Sequence, residues 1–155
     1  MPHTASLLRV ARRLVRENAA AEDIVQETML SAWRGFHQFQ AGSNGRAWLF
    51  RILINAVNQR GRKLKAARAV ESIELSERPG FAIAVEISDA LDALSIEHRE
   101  VLLLGVVEEF TCQEIADILS IPIGTVMSRL SRARQALREK LAPVSAAPIS
   151  VGKEA

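Results

Sequence analysis

Apolar residues recur at helical spacing along most of the chain. Leu7, Ala11, Leu14 and Val15 make one stripe, and Val25, Met29, Ala32, Trp33 and Phe36 make a second. A polar stretch from His37 to Gly45, rich in Gln, Gly, Ser and Asn, then interrupts the pattern. Ser43 or Asn44 supplies a cap for a third helix. Its inner face is expected at Trp48 or Leu49, Ile52, Leu53 and Ala56, and its outer face at Arg51, Asn55, Asn58 and Gln59. The periodicity fades after Arg68, and Pro79-Gly80 is a breaker pair, so Ala69 to Ala84 reads as a linker. Helical patterns resume with Ile87, Leu91 and Leu94, then Val101 to Val107, then two further helices. From Pro143 the chain is small-residue and Pro-containing, which predicts a disordered tail. Strand-like alternation is weak. The expected fold is all-α: a three-helix-type bundle over 1–68, a flexible linker over 69–84, a four-helix unit over 85–142, and a tail over 143–155.

Composition narrows the class. The chain has 155 residues, is 48% hydrophobic and 25% charged, and carries a net charge of +2. That combination excludes an unfolded chain. The longest apolar stretch, Val101 to Val107, is far short of the roughly 20 residues of a membrane helix. No apolar segment followed by a small-residue cleavage site opens the sequence, so a cytoplasmic location without membrane insertion is expected. The single cysteine, Cys112, and the scattered His3, His37 and His98 offer no metal cluster, so no metal and no cofactor are expected. Cys112 reads as a small packed residue. No catalytic His/Asp/Ser constellation or convergent carboxylate pair is visible, which argues against an enzyme. Gly42-Ser43-Asn44-Gly45 lacks the lysine of a phosphate-binding loop.

The charge is segregated. Residues 37–68 carry seven basic groups and no acidic one, whereas residues 69–110 carry two basic and ten acidic groups. Two basic surfaces flanking an acidic stretch suit a polyphosphate partner, although a charge run can also be a plain solvated face.

The sharpest local signal lies between Thr111 and Leu141. Thr111 with Glu114 three residues later is a capping box that starts a helix over Cys112 to Leu119. Ile115 and Leu119 are expected to face inward, with Ala116 at a close helix approach. A break follows at Ser120-Ile121, and Pro122 suits the first turn of a new helix. Val126, Leu130, Ala133, Leu137 and Leu141 line its inner side, while Thr125, Ser128, Arg129, Ser131, Arg132, Arg134 and Arg138 occupy the rest. Two short helices with a tight turn, the second rich in Arg, Ser and Thr, describe a helix-turn-helix whose second helix enters the major groove. Arginine grips a guanine edge through two hydrogen bonds, while Ser, Thr and other Arg residues hold phosphates.

At this point the residues resemble a known family. The segment EHREVLLL followed by TCQEIADILSIPIGTVMSRLSRARQALREKL is similar to domain 4 of an extracytoplasmic-function (ECF) sigma factor. AEDIVQETMLSAWRGF at Ala21 to Phe36, with RAWLFRILINAVNQRGR at Arg46 to Arg62, resembles sigma domain 2. The likeness covers about residues 6–142 and implies a promoter-directing subunit of RNA polymerase without catalysis of its own. It implies core polymerase (β′ clamp and β flap), promoter DNA and an anti-sigma factor as partners. By the same resemblance Asp23, Gln26 and Glu27, with Trp33 and Arg34 nearby, dock on the β′ clamp. Asn55 lines a pocket for an unpaired −10 base, with Ala56 to Arg60 as the adjoining loop; Asn58, Gln59, Arg60, Arg62 and Lys63 complete that surface. Thr125, Met127, Ser128, Arg129, Ser131 and Arg132 are the −35 readers.

Read without the resemblance, Asp23, Gln26, Glu27 and Asn55 are ordinary helix-surface residues, and Trp33 and Trp48 are core residues. About 16 extended linker residues reach at most ~55 Å, or about 16 base pairs at ~3.4 Å each. Two units so tethered can read two boxes a turn and a half apart. Four positions depart from the family pattern. The chain begins close to the second helix expected of domain 2, Ser95 stands for proline, Ser120 for glycine, and Met127 for a basic residue. Two other readings use the same residues: a stand-alone helix-turn-helix regulator with an N-terminal interaction module, and a sigma-like decoy that never touches DNA. The arginines of the last helix argue against the decoy.

Overall fold

The computed structural model describes residues 2–68 and 82–145. Residues 69–81 of the expected linker and 146–155 of the expected tail lie outside them. Every described element is helical: α1 (Thr4–Leu14), α2 (Asn18–Gly35), a 3₁₀ turn (Phe36–Gln38), α3 (Gly45–Arg68), α4 (Ala82–Asp92), α5 (Ile96–Leu102), a π turn (Leu103–Val107), α6 (Cys112–Leu119) and α7 (Ile123–Ser145). Helix α4 starts three residues inside the expected linker, and α7 runs three residues into the expected tail.

Helix α1 buries Leu7, Val10, Ala11 and Leu14 and ends where Val15 turns extended, with Arg12 and Arg13 in the last turn, where cations suit the helix dipole. Helix α2 departs from the expected stripe. It buries Ala20, Ala21, Ile24, Val25, Thr28 and Ala32, while Trp33 is 81% exposed and Phe36 65% exposed. The reading of Trp33 as a core residue is therefore corrected. At 100° per residue Trp33 falls on the side of α2 opposite buried Ile24, Phe36 belongs to the 3₁₀ turn beyond the helix, and the alanines permit close approach of α1 and α3 there. The Thr28 hydroxyl is buried but donates to the Ile24 carbonyl at 2.7 Å, so it leaves no unpaired polar group.

Helix α3 is capped by Asn44, whose Oδ1 accepts from the Ala47 N–H at 3.1 Å. Its buried residues are Phe50, Leu53, Ile54 and Val57, and Leu49, Ile52 and Ala56 sit half-buried beside them. The inner face is thus turned from the expected one, because α3 packs on α1 and α2 on one side and α6 on the other. Trp48 is half-buried, its ring 5.1 Å from that of Phe39. The loop expected at Ala56 to Arg60 is also corrected: α3 continues unbroken to Arg68. Burial of Val57 in the core holds that turn helical, and Gly61 is tolerated beyond it.

In the second half Ser95 caps α5, its hydroxyl accepting from the His98 N–H at 3.3 Å. Arg99 is buried and donates to the carbonyls of Leu91, Asp92 and Leu94 at 3.0, 3.2 and 3.0 Å, tying off the end of α4. Burial lowers its pKa, partly offset by Asp92. Beyond the π turn the chain passes through a left-handed Glu109 (φ 57°), and the Phe110 N–H reaches back to the Leu104 carbonyl at 3.0 Å to close the end of the turn. Gly105 sits where a Cβ would meet Leu130 Cδ2 at 3.3 Å and Ile115 Cδ1 at 3.4 Å.

The halves are not separate beads. Leu7, Phe50 and Val57 belong to the same continuous apolar cluster as Val101, Phe110, Ile115 and Val126. Phe50 and Phe110 meet edge to face at 5.2 Å across the junction. Arg46 lies over the Phe110 ring at 4.2 Å.

Candidate polymerase and nucleic-acid interfaces

Helix α2 carries the first surface. Asp23, Gln26, Glu27, Trp33 and Arg34 are all exposed. Their spacing of 3, 1, 6 and 1 keeps them near one outward face. Leu30, 55% exposed, sits between Gln26 and Trp33 on that face and was missed by the sequence reading. Its i+3/i+4 spacing from Gln26 and Glu27 was the available signal. The face is a polar row running into an apolar end, an arrangement that offers a partner both hydrogen bonds and buried area.

The second surface is the C-terminal half of α3. Asn55, Gln59, Arg62 and Lys63 are exposed, while Asn58 and Arg60 are half-buried. Because the segment is helical, these side chains form a rigid basic face rather than a loop pocket. Asn58, Arg60 and Arg62 line one wall of a groove of about 640 Å³ between the two halves, and Glu97, Glu100 and Arg129 line the other. Glu100 is almost wholly buried, and among the described residues its Oε1 finds no hydrogen-bond partner. Burial pushes its carboxyl up to about 7, against a hydrogen bond from Asn58 and the nearby charge of Arg129, which act the other way.

The third surface is the helix-turn-helix. The capping box is present in full: Thr111 Oγ1 accepts from the Glu114 N–H at 3.1 Å, and Glu114 Oε2 accepts from the Thr111 N–H at 2.8 Å. Ile115, Ala116 and Ile118 are buried, so Ile118 takes the inward place expected of half-buried Leu119. Ser120 turns the chain with φ 56° and ψ 46°, the left-handed conformation glycine favours. Pro122 sits one residue earlier than expected, at the cap of α7, where its carbonyl accepts from the Thr125 and Val126 N–H groups. Val126, Leu130 and Ala133 are buried as the pattern requires, with Leu137 and Leu141 half-buried.

The six expected −35 readers do not share one face. Met127, Ser128, Ser131 and Arg132 are exposed and Thr125 is half-buried. Arg129 is turned away toward the inter-half groove, its Nη2 3.9 Å from Glu97 Oε1. Met127 and Ser131 instead share a shallow depression with Arg134, Arg138 and Cys112. Arg134 and Arg138 were left out of the reader set, although they follow Met127 and Ser131 at helical spacing. Among the described residues no His/Cys/Asp/Glu group could hold a metal ion, and no helix is long and apolar enough to cross a membrane.

The family model for Sigma-70 region 2 matches residues 1–67, and that for Sigma-70, region 4 matches residues 84–137. The chain is 38% identical over 148 residues to the ECF RNA polymerase sigma factor SigL of Mycobacterium tuberculosis, covering 88% of this chain and 82% of SigL. The chain belongs to the ECF sigma factors.

This sigma factor is also 37% identical over 124 residues to EcfG of Rhodopseudomonas palustris, covering 76% of this chain and 68% of EcfG. A solved structure of the sigma factor RpoE with the anti-sigma factor NepR from Bartonella quintana superposes with a TM-score of 0.76 at 34% identity, covering 90% of this chain and 91% of that one. An ECF sigma factor binds RNA polymerase and directs promoter recognition.

Proposed function

We propose a division of labour among the three surfaces. The α2 face of Asp23, Gln26, Glu27, Leu30, Trp33 and Arg34 binds the β′ clamp of core polymerase. The α3 face of Asn55, Asn58, Gln59, Arg60, Arg62 and Lys63 holds the melted −10 strand, its cations on phosphates and its amides on an extruded base. A protein that binds an unstacked base and its backbone stabilises the open duplex. The exposed residues of α7, Ser128, Ser131 and Arg132 with Arg134 added, contact the −35 major groove, while the rest of the back half meets the β flap. The protein acts in the cytoplasm and carries out no catalysis itself. An anti-sigma factor is a further partner, supported by the likeness to a sigma factor solved with NepR.

The observation that carries this reading is one chain holding both a capped helix-turn-helix with exposed Ser131 and Arg132 and a separate helix exposing Trp33 beside a polar row. A lone DNA-binding regulator has no need of the second surface. Reconstitution tests the proposal: core polymerase, this protein and a promoter library, scored for start sites. Specific initiation that depends on the added protein is the expected result. Tight, sequence-specific duplex binding without polymerase, and no initiation with it, would favour the stand-alone regulator instead.

A further inference from the structure

Helix α7 exposes a side chain that the hydroxyl and guanidinium readers leave unused. Met127 lies in the second turn of the helix and is 54% exposed, whereas Val126 and Leu130 beside it are buried. Its neighbours on the open side are small. One turn earlier, at Gly124, nothing lies within 4 Å of the place a Cβ would occupy. Ser128 follows it directly and Ser131 comes one turn later, both exposed. Met127 therefore stands out from the helix surface as an apolar knob. Among the described residues of α7 the other large apolar side chain so placed is Ile123, at the first helical position and 38% exposed.

A lone exposed methionine is ordinary on a protein surface. Here the charge around it and its place in the motif name what it meets. From Ile123 to Arg138 the helix carries Arg129, Arg132, Arg134 and Arg138 and no acidic residue, so the field in front of it attracts a polyanion. Arg134 and Arg138 share a shallow depression with Met127 and Ser131. The early turns of the second helix of a helix-turn-helix are the ones that reach base edges. A thioether has neither a charge nor an N–H, so it cannot hold a phosphate. What the major groove offers an apolar side chain is the 5-methyl group of thymine. Methionine is long, unbranched and polarizable, which suits it to reach that group and pack on it. An arginine in the same place would grip the backbone and be indifferent to the base.

We propose that Met127 is a specificity-determining residue of the −35 contact, packing its thioether on the 5-methyl group of one thymine in the major groove. This rests on the assignment of α7 to the −35 element and adds to it the identity of one base.

Promoter binding by the reconstituted holoenzyme tests the proposal. A library randomised across the −35 box gives the preferred element. Each thymine of that element, on either strand, is then replaced by deoxyuridine, which removes the methyl group and keeps every hydrogen-bonding atom. At one thymine the wild type is expected to lose about three- to fivefold in affinity, the factor for one methyl-sized apolar group. Met127→Ala is expected to bind the thymine promoter as weakly as wild type binds the deoxyuridine one, with no further loss on the latter. Met127→Leu keeps an apolar side chain and is expected to retain the discrimination. Met127→Arg is expected to bind both promoters alike and to steepen the dependence of log affinity on log salt by about one. Since Met127 is exposed, all three variants are expected to keep the wild-type helical circular dichroism.

A preferred element without thymine, or a wild type that tolerates every deoxyuridine, overturns the proposal. So does a Met127→Ala variant that still discriminates the two promoters: with undiminished binding the side chain is idle, and with equal loss on both it contacts protein. Arg132→Ala separates this failure from that of the −35 assignment. If Arg132→Ala weakens promoter binding while no thymine methyl is read, only the role of Met127 falls. If neither Arg132→Ala nor Met127→Ala alters promoter binding, the −35 assignment of α7 falls and the proposal falls with it.

Discussion

Ser120 holds a backbone conformation that costs a residue with a Cβ about 1 kcal/mol, and it does so at the turn that sets the angle between α6 and α7. Its φ of 56° could be suspected from the family pattern, which has glycine there, but only the backbone establishes it. Ser120→Gly is therefore expected to stabilise the protein by about 1 kcal/mol, read as a higher urea midpoint with unchanged slope. An unchanged or lower midpoint would show that the serine is held in place by something stronger than its backbone strain. Arg99 illustrates the opposite case at the same scale. In sequence it is one more charge in EHREV, yet it is buried and ties down three carbonyls at the end of α4. No periodicity distinguishes a cation that folds inward to close a neighbouring helix from one that points to solvent. Its role depends on where α4 stops.

At the scale of elements, α2 and α7 separate two kinds of legibility. The inner face of α7 matched its expected stripe because one side packs and the other is open, which is what a 3.6-residue period reports. Helices α2 and α3 did not match as closely. Small alanines carry much of the burial on α2, and α3 is covered from two sides, so hydrophobicity alone misjudged which large residues point inward. Trp33 is the clearest instance. Since its side chain is 81% exposed, Trp33→Ala is expected to change stability by less than about 0.5 kcal/mol. It is also expected to weaken core-polymerase binding by about 1–2 kcal/mol, measured by competition for core enzyme. A large stability loss with normal polymerase binding would return Trp33 to a structural role. On α7 the exposed Arg132 and the turned-away Arg129 should behave differently. Arg132→Ala is expected to weaken −35 binding in the holoenzyme by about 1–3 kcal/mol, and Arg129→Ala by clearly less. Equal losses in promoter titrations would mean that Arg129 swings out to the DNA when the halves part.

For the whole molecule the groove between the halves adds a pH dependence. Glu100 of α5 faces Asn58 from α3 and Arg129 from α7, with Glu97 and Arg99 on its own helix. Burial raises its pKa from 4.5 to about 7, so the closed fold holds a proton that the unfolded chain releases. Below about pH 4.5 both states are protonated and the residue contributes no pH dependence. As the pH climbs toward 7 the unfolded state ionises first, and stability falls by up to about 3 kcal/mol before levelling off. Glu100→Gln is expected to flatten the urea-stability profile between pH 5 and 7; a variant with the wild-type slope would place the titration elsewhere. The sequence by itself determined the all-helical class, the capping box, the helix-turn-helix and the outward polar row of α2. Each is written in the spacing of residues a few positions apart, and local spacing is enough to set a helix, its ends and its amphipathic side. Only the tertiary structure decided that α3 runs straight through the expected −10 loop, that Arg129 turns from the exposed side of α7 that carries Ser128 and Arg132, and that Arg9 and Arg46 close on Glu108. Each depends on which distant surface covers a segment, the last on groups up to 99 positions apart meeting at one buried carboxylate, and no short-range pattern encodes which distant charge that carboxylate will find.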